Sequence, residues 1–484
     1  MSAPEGVLDG SVTAAHALAD ELANREFEIE ADADEVGDLV ESPPVTLLEW
    51  ETRRLELTRR QAGRLEDTPW LSVTPDPEDG YWTVTAKQHV GAFTMDGMRV
   101  IVRPKINPQN LFLLLEVGLP NDAWLPEAIE YAETDDLLPA LISFFARTAE
   151  TTLARGHYHS YRHEEEDLLA LRGRLDFQRQ FRRGGLMVPM ACSYDDFTAD
   201  VAENRYLRAA MRQATRVAGV PLEDRRRLMR LLVALEDVSD VLVHADDIER
   251  ITFTRLNDHY LPAMRLARLI LANLTLQDQH GEATASAFML DMNNLFERFV
   301  TERLRTELSG RLEVEGQRSS SLDTAERVRI RPDLEFRRDG VSVGVADIKY
   351  KLSDTDETSG STESSIVAGP SYAGSQVWAS NADYYQLLAY ATALDHPTGT
   401  LIYCVDSNKD MNGDTETPTG LPTTEVGTGR MAQLAHSMIE VKNAGKELHV
   451  VGVDLSGSPN DIQQQIAALA DHLEATVQAA PQPM

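Results

Sequence analysis

The chain has 484 residues, 42% of them hydrophobic and 6% aromatic, enough for two to four domains with real cores. Its 78 acidic against 46 basic residues give a net charge of −32. With only Cys192 and Cys404, it excludes a disulfide framework, a four-cysteine zinc site and an iron–sulfur cluster held by four cysteines of this chain alone.

Acidic residues run through amphipathic stretches such as "LANREFEIEADADEVGDLVES", and the basic set holds 39 arginines but only seven lysines. This is the composition of proteins from a salt-accumulating cytoplasm. In molar salt the Debye length falls to about 3 Å, so the charge neither argues for a nucleic-acid partner nor excludes one. The first 30 residues lack a basic start followed by an apolar run, and no stretch of 18 apolar residues occurs. The expectation is a soluble cytoplasmic protein without a membrane partner.

In chain order, residues 1–44 read as an acidic tail, partly helical or disordered. Residues 45–121 carry short β-type runs punctuated by Pro and Gly ("PPVTLLEWE", "WLSVTP", "YWTVTAKQHVGAFTMDGMRVIVRPKI") and predict a β-rich domain. From 122 to 284 helical periodicity dominates, as in "LLPALISFFARTAETTLARG". An irregular segment, 171–211, interrupts it with five arginines between Arg172 and Arg183. These read either as a solvated strand pair making surface ion pairs or as a phosphate-contacting strip. "HYHSYRH" offers His157, His159 and His163 as possible metal ligands, but its polar, tyrosine-rich surroundings favour a solvated helix end.

From 285 to 484 the pattern becomes helix, three strands, helix, strand, then a further strand and a closing helix. A Ser/Gly/Thr-rich insertion, 352–380, interrupts it. The predicted class is an α+β multidomain chain: a β-rich N-terminal domain, a helical middle region and an α/β C-terminal domain.

Neither G-x-x-x-x-G-K-[ST] nor G-x-G-x-x-G occurs, which argues against a nucleotidase or a dinucleotide enzyme. The chemistry concentrates in "RPDLEFRRDGVSVGVADIKYK". Asp347 and Lys349 are two apart on a strand and share a face. Val341, Val343 and Val345 have the same parity, making that face apolar until it meets Asp347. Asp333 joins them only under a condition on the hairpin. A two-residue Asp339-Gly340 loop would set Asp333 opposite Ala346, on the wrong face. A three-residue loop, or a bulge, would bring it round.

Two carboxylates and an ammonium suit divalent-metal chemistry. Carboxylate oxygens are the hard ligands Mg²⁺ or Mn²⁺ prefers, usually shared with a substrate phosphate. The compact, tunable ammonium of lysine can orient or deprotonate a water, which arginine's wide, permanently charged fork does poorly. Glu297, in an apolar helix, needs a partner that such a site could supply. Gln386 and Tyr390 share one helix face after the insertion.

Glu297, Pro332-Asp333, Asp347-Ile348-Lys349 and Gln386…Tyr390, in this order, resemble a PD-(D/E)xK nuclease core of the RecB-like branch. With "VIVRPKI", "LRGRLDF", "CSYDDFTADVAENRYL", "DMNNLFERFV" and "DYYQLLAYA", the chain is similar to the McrC family, the nuclease subunits of McrBC modification-dependent restriction systems. The resemblance spans about residues 98–391; the acidic tail and the long insertion depart from it.

It implies a restriction-endonuclease-like core in which Asp333, Asp347, Glu297 and the Ile348 carbonyl hold Mg²⁺ or Mn²⁺. Lys349 would position the attacking water, with Gln386 and Tyr390 in support. It also implies DNA as substrate and an McrB-like AAA+ GTPase ring as partner. Two other readings stay open: a free-standing RecB-like nuclease and a non-catalytic scaffold of a motor ring.

Overall fold

The computed structural model describes residues 44–95, 97–115, 137–182, 188–277, 285–350, 379–405 and 434–479. The acidic tail apart from Pro44, the insertion up to 378, Arg183 and Lys351 lie outside the described residues. The fold is mixed α/β with several sheets, and the chain divides into two compact units that interleave along the sequence. Of the described residues, those up to 45, from 91 to 101 and from 137 to 289 form one unit, and those from 46 to 90, from 102 to 115 and from 290 onward form the other. Among the described residues no helix is long and apolar enough to cross a membrane.

In chain order the strands before residue 292 are β1 (Val45–Leu48), β2 (Thr52–Glu56), β3 (Leu71–Pro75), β4 (Tyr81–Ala86), β5 (His89–Met95), β6 (Met98–Arg103), β7 (Ser160–Leu168), β8 (Arg174–Leu175), β9 (Met190–Thr198), β10 (Leu274–Gln277) and β11 (Ala285–Asp291). The helices there are α1 (Arg59–Glu66), α2 (Pro108–Leu115), α3 (Leu137–Ala154), α4 (Phe177–Arg182), α5 (Ala202–Ala214), α6 (Leu222–Ala234) and α7 (Leu261–Asn273).

In the first unit α3, α5, α6 and α7 pack together, and β7, β9 and β8 form an antiparallel sheet. β8 and β9 fall within 171–211, where a solvated strand pair is one of the two readings, whereas β7, polar on both faces, carries no strand signal of its own. "HYHSYRH" is therefore no helix end. His157 and His159 precede β7, while His163 lies on it, bonding Asp195 Oδ1 at 2.9 Å and Ser193 Oγ at 3.2 Å. The arginine-rich stretch makes ion pairs: Arg172 with Asp196, and Arg179 with Glu165 and Asp167.

In the second unit β2-β4-β3 form a small antiparallel sheet with α1 packed on β3. The larger sheet is built after α8 (Met292–Glu307) from β12 (Glu313–Gly316), β15 (Leu334–Arg338), β16 (Val341–Lys349), β17 (Thr398–Val405), β19 (Lys446–Asp454) and β18 (Ala435–Val441), in that spatial order. A two-stranded ribbon, β13 (Ser320–Ser321) and β14 (Arg329–Ile330), stands apart. The stretch "RVRIRPDLEF" is thus two strands rather than one, broken around Pro332, which cannot donate to a ladder.

β16, β17 and β19 run parallel, and their nearly continuous apolar runs suit strands covered on both faces. Helix α9 (Asn381–Ala393) covers one face, where Leu387 packs with Leu401, Tyr403, Leu448 and Val450, and Tyr390 with Val345. Helix α10 (Pro459–Ala479) covers the other: a Cβ on Gly344 would come within 2.9 Å of Val477 Cγ2. Lys446 closes the C-terminal end of α9, its Nζ donating to Ala391 O at 3.2 Å and His396 O at 2.7 Å.

The contact at Gly344 gives a stability test. Gly344→Val should destabilise this unit by about 1–3 kcal/mol through overpacking against Val477 and Phe336. A lowered denaturant midpoint at unchanged m-value is the expected readout; an unchanged midpoint would show that α10 does not pack there.

Candidate active site

The β15–β16 hairpin decides whether the carboxylates meet. Asp339 (φ 51°) and Gly340 (φ 78°) are both left-handed, the signature of a two-residue type I′ turn, and Arg338 pairs with Val341. The loop alone would therefore misplace Asp333. Between Phe336 and Arg337 the register shifts: Phe336 pairs with Gly344 and Arg337 with Ser342, leaving Val343 as an extra, bulged residue. Leu334 then pairs with Ala346, and one step further Asp333 stands opposite Asp347. The bulge, rather than a longer loop, supplies the convergence. It also breaks the parity assumed for the valine face. Val341 is 63% exposed, and the apolar stretch begins only at Gly344 and Val345.

Asp347 is 1% exposed. Burial pushes its pKa up to about 7, with Asp333 adding to the rise and Lys349 opposing it. Asp333 is raised too, chiefly by burial, against the Ile348 N–H that donates to its Oδ2 at 2.8 Å. Each carboxyl shifts the other's proton affinity, so they titrate as a pair. Lys349 Nζ stands 2.7 Å from Asp347 Oδ2 as an ion pair, outside hydrogen-bond alignment, and that buried oxygen accepts no hydrogen bond. Burial works against the lysine's charge, but Asp347 more than offsets it and holds its pKa above the ordinary value.

Glu297, on α8, joins the group electrostatically. Burial raises its pKa first, and Asp347 raises it further against Arg331 and Lys349. Gln317 Nε2 donates to its Oε1 at 2.6 Å, and Arg331 Nη2 holds Gln317 Oε1 at 2.5 Å. On α9, Gln386 Nε2 donates to Tyr390 Oη at 2.7 Å, and that hydroxyl donates to Arg331 O at 3.3 Å. The helix thus braces the turn leading into Asp333. Glu297, Asp333, Asp347, Ile348, Lys349, Gln386 and Tyr390 all lie in this one unit and the ionisable ones act on one another, whereas His157, His159 and His163 lie in the other unit.

Gln317, Arg331 and Asp383 had no expected role, although Arg331 and Asp383 open the stretches "RPDLEF" and "DYYQLLAYA". Asp383 carried only a capping signal three residues after Ser380, and both halves of that capping box form. The same carboxylate accepts from Tyr403 Oη at 2.5 Å and stabilises the Lys349 charge.

Asp333 and Asp347 beside one ammonium, with Glu297 acting on both through its field, form an all-oxygen set of the kind a hard divalent cation takes. Without such a cation the pH sign follows from the raised pKa. Unfolded Asp347 gives up its proton near 3.9, whereas the folded chain keeps it to about 7. Its contribution to stability is therefore lost as pH rises from about 4 to about 7. Metal-free thermal melts should show this decline, and Asp347→Asn should flatten it; a decline unchanged in the variant would contradict the assignment.

The family model of the McrBC 5-methylcytosine restriction system component matches residues 84–404, well over half of the chain. Among solved structures, the chain is similar to a half-complex from a tetradecameric assembly of Thermococcus gammatolerans McrB AAA+ hexamers with bound McrC. The identity there is 18%, the match covers 88% of this chain and 100% of that one, and the TM-score is 0.47. It is also similar to the cryo-EM structure of the Thermococcus gammatolerans McrBC complex, at 23% identity over 55% of this chain and 88% of that one, with a TM-score of 0.38. No curated protein matches. The chain belongs to the McrBC 5-methylcytosine restriction system component family.

Proposed function

We propose that this chain is the DNA endonuclease subunit of an McrBC-like modification-dependent restriction system, with a PD-(D/E)xK nuclease core in its second unit. The observation that carries the proposal is the convergence of Asp333, Asp347 and Lys349 at one end of β15 and β16. Family membership and the missing G-x-x-x-x-G-K-[ST] motif support a partner that supplies nucleotide hydrolysis. In the solved Thermococcus assembly McrC is bound to McrB AAA+ hexamers, and the partner proposed here is a GTPase ring of that kind, stimulated by this chain.

Asp333, Asp347, Glu297 and the Ile348 carbonyl would hold Mg²⁺ or Mn²⁺. When bound, such a cation lowers the pKa of a coordinated water and neutralises charge on the phosphate. The remaining work falls to side chains. The Lys349 ammonium, kept charged beside Asp347, donates to the attacking water and to a phosphate oxygen as negative charge builds there. Gln386 and Tyr390 hold the Arg331–Asp333 turn, so that the carboxylate pair keeps its place. Cytoplasmic residence goes with this role.

Asp347→Ala and Lys349→Ala should each lower DNA cleavage by at least about 10²-fold, the scale of losing a preorganised charge partner. Both should leave partner binding and GTPase stimulation intact. Wild-type-like cleavage by either variant sinks the assignment. Vigorous cleavage by the isolated chain with Mg²⁺ and no nucleotide would instead favour a free-standing nuclease. Lys349→Arg should not restore activity, because the guanidinium is wider and cannot replace a compact ammonium.

A further inference from the structure

A second constellation in the same unit takes no part in this chemistry. His436 stands on the edge strand β18, His449 on β19 and His472 on α10. His436 pairs across from Val451 and Met438 from His449, so the two strand histidines are diagonal neighbours on one face. Ring centroids lie 4.6 Å apart for His436–His472, 5.3 Å for His449–His472 and 5.4 Å for His436–His449. One nitrogen from each ring falls within 4.8 Å of the other two. Three imidazoles around a tetrahedral zinc, bonded at about 2.0–2.1 Å, would place their centroids about 5 Å apart.

Hydrogen bonding does not account for the cluster. His436 and His449 share one contact, Nε2 to Nδ1 at 3.1 Å. The Nε2 atoms of His449 and His472 are buried and have no hydrogen-bond partner, although buried polar atoms are normally paired. Glu447, two residues before His449 on the same strand face, brings Oε2 to 3.9 Å from His449 Nε2. Burial lowers the pKa of all three rings, to about 4 for His449 and His472, so near neutral pH their nitrogens are free of added protons.

We propose that His436, His449 and His472, with Glu447 as fourth ligand, bind a zinc-class transition-metal ion that fastens the edge strand β18 to β19 and α10. Imidazole nitrogens select such an ion, whereas the all-oxygen set of Asp333, Asp347 and Glu297 selects Mg²⁺ or Mn²⁺. The two sites therefore take different metals. An edge strand presents unpaired backbone groups on its open side, and a metal clip on β18 holds that edge to the body of the sheet.

The full chain, stripped with chelator, is titrated with Zn²⁺ in millimolar Mg²⁺, and bound metal is counted by elemental analysis after gel filtration. Co²⁺ replaces Zn²⁺ in a parallel optical titration. The expected results are one zinc per chain, a melting temperature raised by several degrees, and the strong visible absorption of tetrahedral Co²⁺. His436→Ala and His472→Gln should each weaken zinc binding by at least about tenfold. Asp347→Ala should keep the zinc. His436 is exposed, so its variant keeps the test valid if His472→Gln does not fold. No zinc on the wild type, binding unchanged in the histidine variants, or zinc lost with Asp347→Ala would each overturn the proposal.

Discussion

Burial of negative charge at the end of β16 governs the second unit. Asp347 is nearly sealed from water with Asp333 opposite it, and Glu297 adds its field from α8. Two carboxylates in such a place cannot both ionise without compensation. The surroundings supply it by separate routes: the Ile348 backbone N–H on Asp333, the Gln317 amide on Glu297, and the Lys349 ammonium beside Asp347. Gln317 is in turn held by Arg331, and the backbone of Arg331 by Tyr390. Residues from α8, α9 and the strand ends are thus tied to one electrostatic problem. That strain is of a sort folds retain at functional sites.

The solution rests on backbone geometry as much as on charge. A type I′ turn gives the hairpin its twist, and its left-handed Asp339 and Gly340 fix the loop at two residues. Such a loop sets a register one step out, and the bulge at Val343 restores it. Gly344 follows the bulge, and its missing side chain admits α10.

Much of this was legible beforehand. Period-two and period-3.6 patterns marked β16, β17, β19, α8, α9 and α10, because these elements are strongly apolar on the faces they bury. The carboxylates and Lys349 stood out for their parity and for the rarity of lysine. Rarity alone, however, does not separate catalysis from structure, since Lys446 serves to close a helix. The bulge was foreseen only as one of two options, because bulges carry no residue signature once a turn residue such as Gly340 fits either loop. The strand pair in 171–211 is legible, but β7 and β18 are not, as polar strands lack the alternation that betrays a buried face. Gln317 and Arg331 were invisible because they act through hydrogen bonds between segments far apart in sequence.

The seat of Val477 against Gly344 bears on how shortened chains are to be interpreted. The last turns of α10 fill the space beside the residue that follows the bulge, so they buttress the hairpin on which Asp347 is carried. A chain cut back before Val477 would lose that buttress while keeping every ligand and the lysine. Its loss of cleavage would then report a slackened scaffold and should not be taken as evidence that the C-terminal segment grips DNA.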